Sequence, residues 1–149
     1  MRLTVRTDYA FRMLLYLAVH SDRLCTIKEI ADAYHISEPH LMKITHQLGQ
    51  LEWIETIRGK GGGMKLAKKP EEICLAEVVK TVEPDFHLVE CFSSDNTCSI
   101  GAYCGLTGIM HEALDAFISC FAKYTLADIL KSGMPSSDDS LEKIVNFMK

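Results

Sequence analysis

The chain has 149 residues, 48 % of them hydrophobic, with a net charge of −4 and six cysteines. That length allows one domain or two small ones, and no run of about 18 apolar residues occurs that could cross a membrane as a helix. The apolar segment 13–19 follows Asp8 and Arg12 and has no small-residue cleavage site after it, so it reads as a helix face and not as a signal peptide.

With no export signal, the expected compartment is the reducing cytoplasm. Clustered cysteines there are more often metal ligands or redox groups than structural disulfides. The charge is divided along the chain. Residues 1–69 carry 11 Lys+Arg against 7 Asp+Glu, whereas residues 70–149 carry 5 against 13. All five arginines lie in the first part. A basic amino-terminal half suggests that one end meets a polyanion, although two differently solvated surfaces would give the same division.

In chain order, residues 7–20 are apolar-rich and free of Gly and Pro, which predicts a helix. Thr26 and Glu29 form a capping-box pattern, and Ile27, Ile30, Ala31 and Tyr34 then mark one face of a short helix. His35-Ile36 breaks it. Ser37 is the next N-cap candidate, with Pro39 tolerated in the first turn. Leu41, Ile44, Leu48 and Leu51 give the buried stripe of the helix that follows. Two short helices so placed form a helix-turn-helix pattern. The outward positions of the second are Ser37, His40, Lys43, Thr45, His46, Gln47 and Gln50, side chains suited to phosphates and base edges.

Residues 53–57 and 64–68 read as short strands around Arg58-Gly-Lys-Gly-Gly-Gly63. The glycines let a hairpin tip adopt positive φ and approach another surface, with Arg58, Lys60 and Lys65 beside it. A basic hairpin after a helix-turn-helix is the winged-helix arrangement. No GxxxxGK[ST] phosphate loop is present. Pro70 ends the wing. Leu75, Val78, Val79 and Val82 are spaced for another helix, stopped near Pro84.

A loop over 85–105 follows, and then the clearest pattern in the chain. Leu106, Ile109, Met110, Ala113, Leu114, Phe117, Ile118 and Phe121 form one apolar stripe on a long helix. Such a helix after a small winged domain suits packing against its twin in a dimer. Thr125 caps a short helix, and 132–140 reads as a polar linker before a weak final helix. The expected fold is mainly α with a small β-hairpin wing. Its parts are a winged helix-turn-helix domain over 1–70, a cysteine loop and dimerisation helix over 71–131, and a flexible tail over 132–149. No Ser/His/Asp arrangement or paired-carboxylate motif is legible, so no enzyme is expected.

The loop spacing is Cys91-x6-Cys98-x5-Cys104. Four readings stand: a disulfide, which the cytoplasm resists; a structural zinc site, whose knuckles are usually shorter; unligated thiols; or an iron–sulfur cluster, which tolerates wide loop spacing but usually takes four thiolates. For a fourth ligand the candidates are Cys74, Cys120, His87, His111 and the carboxylates. A carboxylate is a hard donor, poorly matched to thiophilic iron. A site completed in that way suits sensing a small molecule better than durable electron transfer.

The stretches LTVRTDYAFRMLLYLA, SEPHLMKITHQL, IRGKGGGMKL, EVVKTVEPDF, the three-cysteine loop and YTLADIL together resemble NsrR-type repressors, of the winged-helix iron–sulfur family that includes IscR. The resemblance spans residues 1–131. It implies a homodimer that binds palindromic double-stranded promoter DNA and releases it when nitric oxide reaches an iron–sulfur cluster, usually 4Fe–4S, with 2Fe–2S the other form. Carried over by position, Cys91, Cys98 and Cys104 would be thiolate ligands and Asp8 an oxygen ligand from the other subunit. Ser37, His40, Lys43 and Arg58 match DNA-facing positions, to which the hairpin chemistry adds Lys60. Two departures stand out. The first cysteine gap is one residue longer than is common, and Thr107 occupies the place of the IscR-type histidine ligand. A regulator of the same fold without a cluster, responding to a metabolite or to thiol oxidation, is the alternative.

Overall fold

The computed structural model describes residues 2–100 and 103–133. The first helix, α1 (Val5–Val19), begins earlier than its apolar pattern predicts because the Thr4 hydroxyl accepts the Thr7 N–H at 3.4 Å. The Thr4 N–H donates to the Glu83 carboxylate at 2.6 Å, fixing this end against the far end of a later helix. Ala10, Met13, Leu14 and Leu17 form its buried stripe.

Helix α2 (Ile27–Tyr34) starts at the expected capping box, with Thr26 and Glu29 bonded reciprocally. Glu29 does more than cap. Its carboxylate also accepts from the Tyr16 hydroxyl at 2.8 Å and from the Arg23 guanidinium. One side chain thus ties α1, the connecting turn and α2 together. His35 ends α2 in the left-handed conformation, φ 54°.

Helix α3 (Glu38–Gln50) buries Leu41, Ile44 and Leu48 as predicted. Two positions expected to face outward do not. Thr45 is buried and its hydroxyl donates to the Leu41 carbonyl at 2.9 Å. Gln47 is half-buried and donates to the Thr81 carbonyl at 3.0 Å. At 3.6 residues per turn, position 45 falls between Leu41 and Leu48 on the inner face, and a threonine methyl is apolar enough to pack there.

The wing is an antiparallel hairpin, β1 (Ile54–Ile57) with β2 (Gly63–Leu66), pairing Glu55 with Lys65 and Thr56 with Met64. It is anchored by a short bridge. The Cys25 N–H donates to the Met64 carbonyl at 2.9 Å, and the Met64 N–H to the Cys25 carbonyl at 2.8 Å. The glycines serve two purposes. Gly59 and Gly61 hold positive φ at 105° and 79°. Gly62 and Gly63 leave room: a Cβ would lie 2.3 Å from the Ile57 carbonyl at Gly62 and 2.8 Å from the Cys25 carbonyl at Gly63.

After a 3-10 turn at Pro70–Glu72, helix α4 (Leu75–Val82) buries Leu75, Val78, Val79 and Val82. A 3-10 turn at Glu90–Phe92 interrupts the long loop before α5 (Leu106–Phe121). The last described helix, α6 (Leu126–Gly133), has Thr125 at its start, where both the backbone N–H and the hydroxyl donate to Asp128 at 2.8 and 2.9 Å. It runs two residues into the segment expected as linker; the remaining tail lies outside the described residues. One apolar cluster joins Met13, Leu14 and Leu17 to Ile30, Leu41, Leu48, Met64, Val78, Val82 and Leu126, drawing on both sides of position 70. Helix α5 stands apart from it. No residue of α5 is buried, and Leu106 and Ile109 are 52 % and 62 % exposed. No described helix is long and apolar enough to cross a membrane.

Two outcomes follow from this packing. Gly63→Ala should lose about 1–3 kcal/mol by forcing the wing off its Cys25 anchor, whereas Gly49→Ala, with open space around it, should gain up to ~1 kcal/mol from helix propensity. Equal urea midpoints for the two variants would contradict the anchor. The Arg23 hydrogen bond, aided by Tyr16, holds Glu29 down from 4.5 to about 2. Because the folded value is the lower, this stabilisation is complete above pH 4.5 and is lost as pH falls toward about 2. Glu29→Gln should therefore flatten the acid limb of stability measured by circular dichroism over that window. An unaltered slope there would remove Glu29 from the account.

Candidate functional site

The amino-terminal end of α3 is open. Ser37 sits at the N-cap but its hydroxyl makes no capping bond, leaving it exposed for another acceptor. His40, Lys43, His46 and Gln50 are exposed along the same helix at spacings of three or four residues, which place neighbours on one face. Across a groove of about 710 Å³ lies the wing, with Met42, His46 and Gln50 on one wall and Thr56 and Arg58 on the other. Arg58 and Lys60 are exposed at the tip, and neither is ion-paired among the described residues. Lys65 differs: its ammonium lies 3.3 Å from the Glu55 carboxylate directly across the hairpin, a half-exposed pair within the wing.

A second groove, about 680 Å³, runs on the other side of α3, between that helix and the start of α1. It brings Arg6 and Tyr9 beside His40, Lys43 and His46. Neither Arg6 nor Tyr9 is marked by the sequence reading. The sequence pattern begins the helix at residue 7 and so leaves Arg6 outside it, and which helix the two side chains face is a matter of tertiary packing.

The cysteine loop gathers its three thiols. Cys91 in the 3-10 turn, Cys98 in the exposed loop and Cys104 just before α5 all line one open cavity of about 200 Å³, with Val89, Ile100 and Leu106 as apolar wall. The Thr107 hydroxyl donates to the Cys91 sulfur at 3.5 Å. Glu90 also borders the cavity, but its carboxylate accepts from the Thr97 N–H at 3.0 Å and the Thr97 hydroxyl at 2.7 Å, bonds that hold it below the usual carboxylate range. It therefore closes the 90–97 segment on itself. The Cys98 N–H is similarly held by Asn96 at 3.0 Å.

The remaining cysteines and the other candidate ligands lie elsewhere. Cys25 is buried in the core, and burial pushes its thiol up. Cys74 precedes α4 in a bridge to Thr125, and Cys120 is exposed near the end of α5. His111 stacks on Phe92, ring centres 4.2 Å apart, and His87 lies 3.9 Å from Asp85. Asp8 is on α1, ion-paired with Arg12 at 2.8 Å, and does not line the cavity. Among the described residues no three His, Cys, Asp or Glu side chains converge on a point that could hold a single metal ion. The donor chemistry nevertheless suits iron–sulfide: three soft thiols line one partly apolar cavity, and the carboxylate at its border, Glu90, is bonded to Thr97.

The family model for Rrf2, described as an iron-dependent transcriptional regulator, matches residues 3–132. The chain is 46 % identical over 149 residues to the HTH-type transcriptional regulator NsrR of Shouchella clausii, covering 99 % of this chain and 97 % of that protein. It is 48 % identical over 134 residues to NsrR of Bacillus subtilis, covering 89 % and 92 %. Among solved structures, T. potens IscR shares the fold with a TM-score of 0.72 at 20 % identity, covering 92 % of this chain and 94 % of that one. CymR of B. subtilis, the global cysteine regulator, does so with a TM-score of 0.67 at 20 % identity, covering 89 % and 98 %. The winged-helix fold expected from the sequence is thus the fold observed, and the chain belongs to the Rrf2 family of transcriptional regulators, which are not enzymes.

Proposed function

We propose that this protein is a homodimeric repressor of palindromic promoter DNA that senses nitric oxide through an iron–sulfur cluster, in the 4Fe–4S form, and releases DNA in response. The observation that carries the reading is the shared cavity of Cys91, Cys98 and Cys104 beside a winged helix with an open cationic face. The name NsrR borne by relatives matching nearly the whole chain supports it.

In this reading α3 enters the major groove. Ser37, His40 and Lys43 meet phosphates and base edges, while Arg58 and Lys60 carry the wing to the neighbouring backbone. The uncovered stripe of α5 packs on its twin, which sets two recognition helices about one DNA turn apart, ~34 Å. Cys91, Cys98 and Cys104 would hold the cluster as thiolates, and Asp8 of the second copy would complete the set. Asp8 can be recruited at little cost. Its bond to Arg12 is a half-exposed pair one helical turn apart, worth roughly 0.3–0.5 kcal/mol. Arg12 retains other contacts when that bond opens, since its guanidinium lies 5.9 Å from the ring centres of Tyr9 and Tyr34. A bound cluster would supply iron open to nitric oxide, and Asp8, as a hard oxygen donor, would be the weakest of the residues holding it. Asp8 would thus tie α1 of one copy to the cysteine loop of the other only while it serves as a ligand.

The alternative is a colourless, thiol-based regulator of the same fold. It is favoured by the absence of a fourth cysteine among the residues that line the cavity and by the exposure of Cys98. Oxygen-free purification separates the two readings. Wild-type protein should bind iron and sulfide and be coloured, Cys98→Ala should be colourless, and Arg58→Ala should keep the colour but bind duplex DNA more weakly. Wild-type protein that takes up no iron on reconstitution would end the cluster reading. Cys98→Ala with full iron content would end the ligand assignment.

A further inference from the structure

The geometry points to a second DNA contact that the helix-turn-helix and wing do not account for: the groove between α1 and α3 is a seat for a backbone phosphate, with Arg6 and Tyr9 as its α1 wall. The inference rests on the reading of this chain as a DNA-binding regulator. Three observations carry it.

The first is the composition of the groove. Arg6, Lys43, His40 and His46 surround it and no carboxylate lines it. The acid nearest in sequence, Asp8, is turned to Arg12 at 2.8 Å. Arg6 is exposed and has no ion pair among the described residues, so its charge is available to an outside anion.

The second is placement. Lys43 and His40 belong to the face of α3 proposed to meet DNA, and both also line this groove, so its α1 wall borders the same surface. His46 lines both this groove and the one toward the wing. The three cationic regions therefore form one continuous band, with the start of α1 at one end, α3 in the middle and the wing at the other.

The third is rigidity. Tyr9 is half-buried, its ring 6.4 Å from that of His40, and Ala10 behind it is fully buried. A wall so held loses little freedom when a phosphate docks. The recognised chemistry is a phosphodiester oxygen, met by a guanidinium and a phenol hydroxyl, and it carries no base information.

The test uses the full-length chain, a labelled duplex selected in vitro by the wild-type protein, and a scrambled duplex of equal length and composition. Arg6→Ala should weaken both duplexes by a similar factor, about 5–10-fold near 0.1 M salt, and lower the slope of log affinity against log salt by about 1. Arg6→Lys should restore most of that slope, and both variants should keep the wild-type thermal midpoint. Unchanged affinity and slope in Arg6→Ala would overturn the phosphate seat. A loss confined to the selected duplex would also overturn it, because that marks base readout. A wild-type protein that selects no duplex at all would instead sink the DNA reading itself.

Discussion

The burial of one face of α1 is the constraint on which the remaining structure depends. Ala10, Met13, Leu14 and Leu17 are almost fully removed from solvent, each large side chain contributing roughly 1.5–3 kcal/mol. Around them gather α2, α3, α4, α6 and the second strand of the wing. Because the inner face is fixed so tightly, the outer face of α1 is fixed as well. Arg6 and Tyr9 are thereby aimed at the groove beside α3, and Asp8 is presented one turn before Arg12. A helix with a rigid interior and two chemically distinct exterior contacts is well placed to transmit a change at one to the other.

The wing and the recognition helix draw their geometry from the same core. The bridge between Cys25 and Met64 joins the hairpin to the start of α2 through two backbone hydrogen bonds, and Gly63 makes that approach possible. Glu29 then locks the turn before α2 onto α1 through Tyr16 and Arg23. By contrast, α5 and the cysteine loop share little of this packing. The longest apolar stripe of the chain lies on a helix with no buried residue, and the three thiols sit in an open cavity at its start. A stable core thus carries the surface proposed to face DNA, and the less packed half carries the three clustered thiols.

Much of this was legible in the sequence. The capping box at Thr26, the stripe of Leu41, Ile44 and Leu48, the stripe of α4 and the Thr125 cap are local patterns, and local patterns survive folding. The errors fell where one residue can serve two environments. Thr45 has a methyl that packs and a hydroxyl that satisfies itself on the preceding turn, so its polarity gave the wrong side. Gln47 found a carbonyl on α4 that no periodicity announces. The glycine run promised both positive φ and close approach, and the fold divides them: Gly59 and Gly61 supply the first, Gly62 and Gly63 the second. Arg6 and Tyr9 escaped notice because their role depends on the angle at which α1 meets α3. That the three cysteines share a cavity was suggested by proximity in sequence, but the engagement of Glu90, at its border, by Thr97 was not.

The central claim is that sulfur in the loop and the DNA-facing surface of α1 and α3 are energetically coupled. The most direct measurement is oxygen-free fluorescence anisotropy of a labelled, in vitro selected duplex with iron-loaded protein, before and after nitric oxide. A coupling of ~1–3 kcal/mol predicts that affinity falls by roughly 5–150-fold on exposure. An absorption spectrum that changes while DNA affinity stays the same would show that the two halves do not communicate.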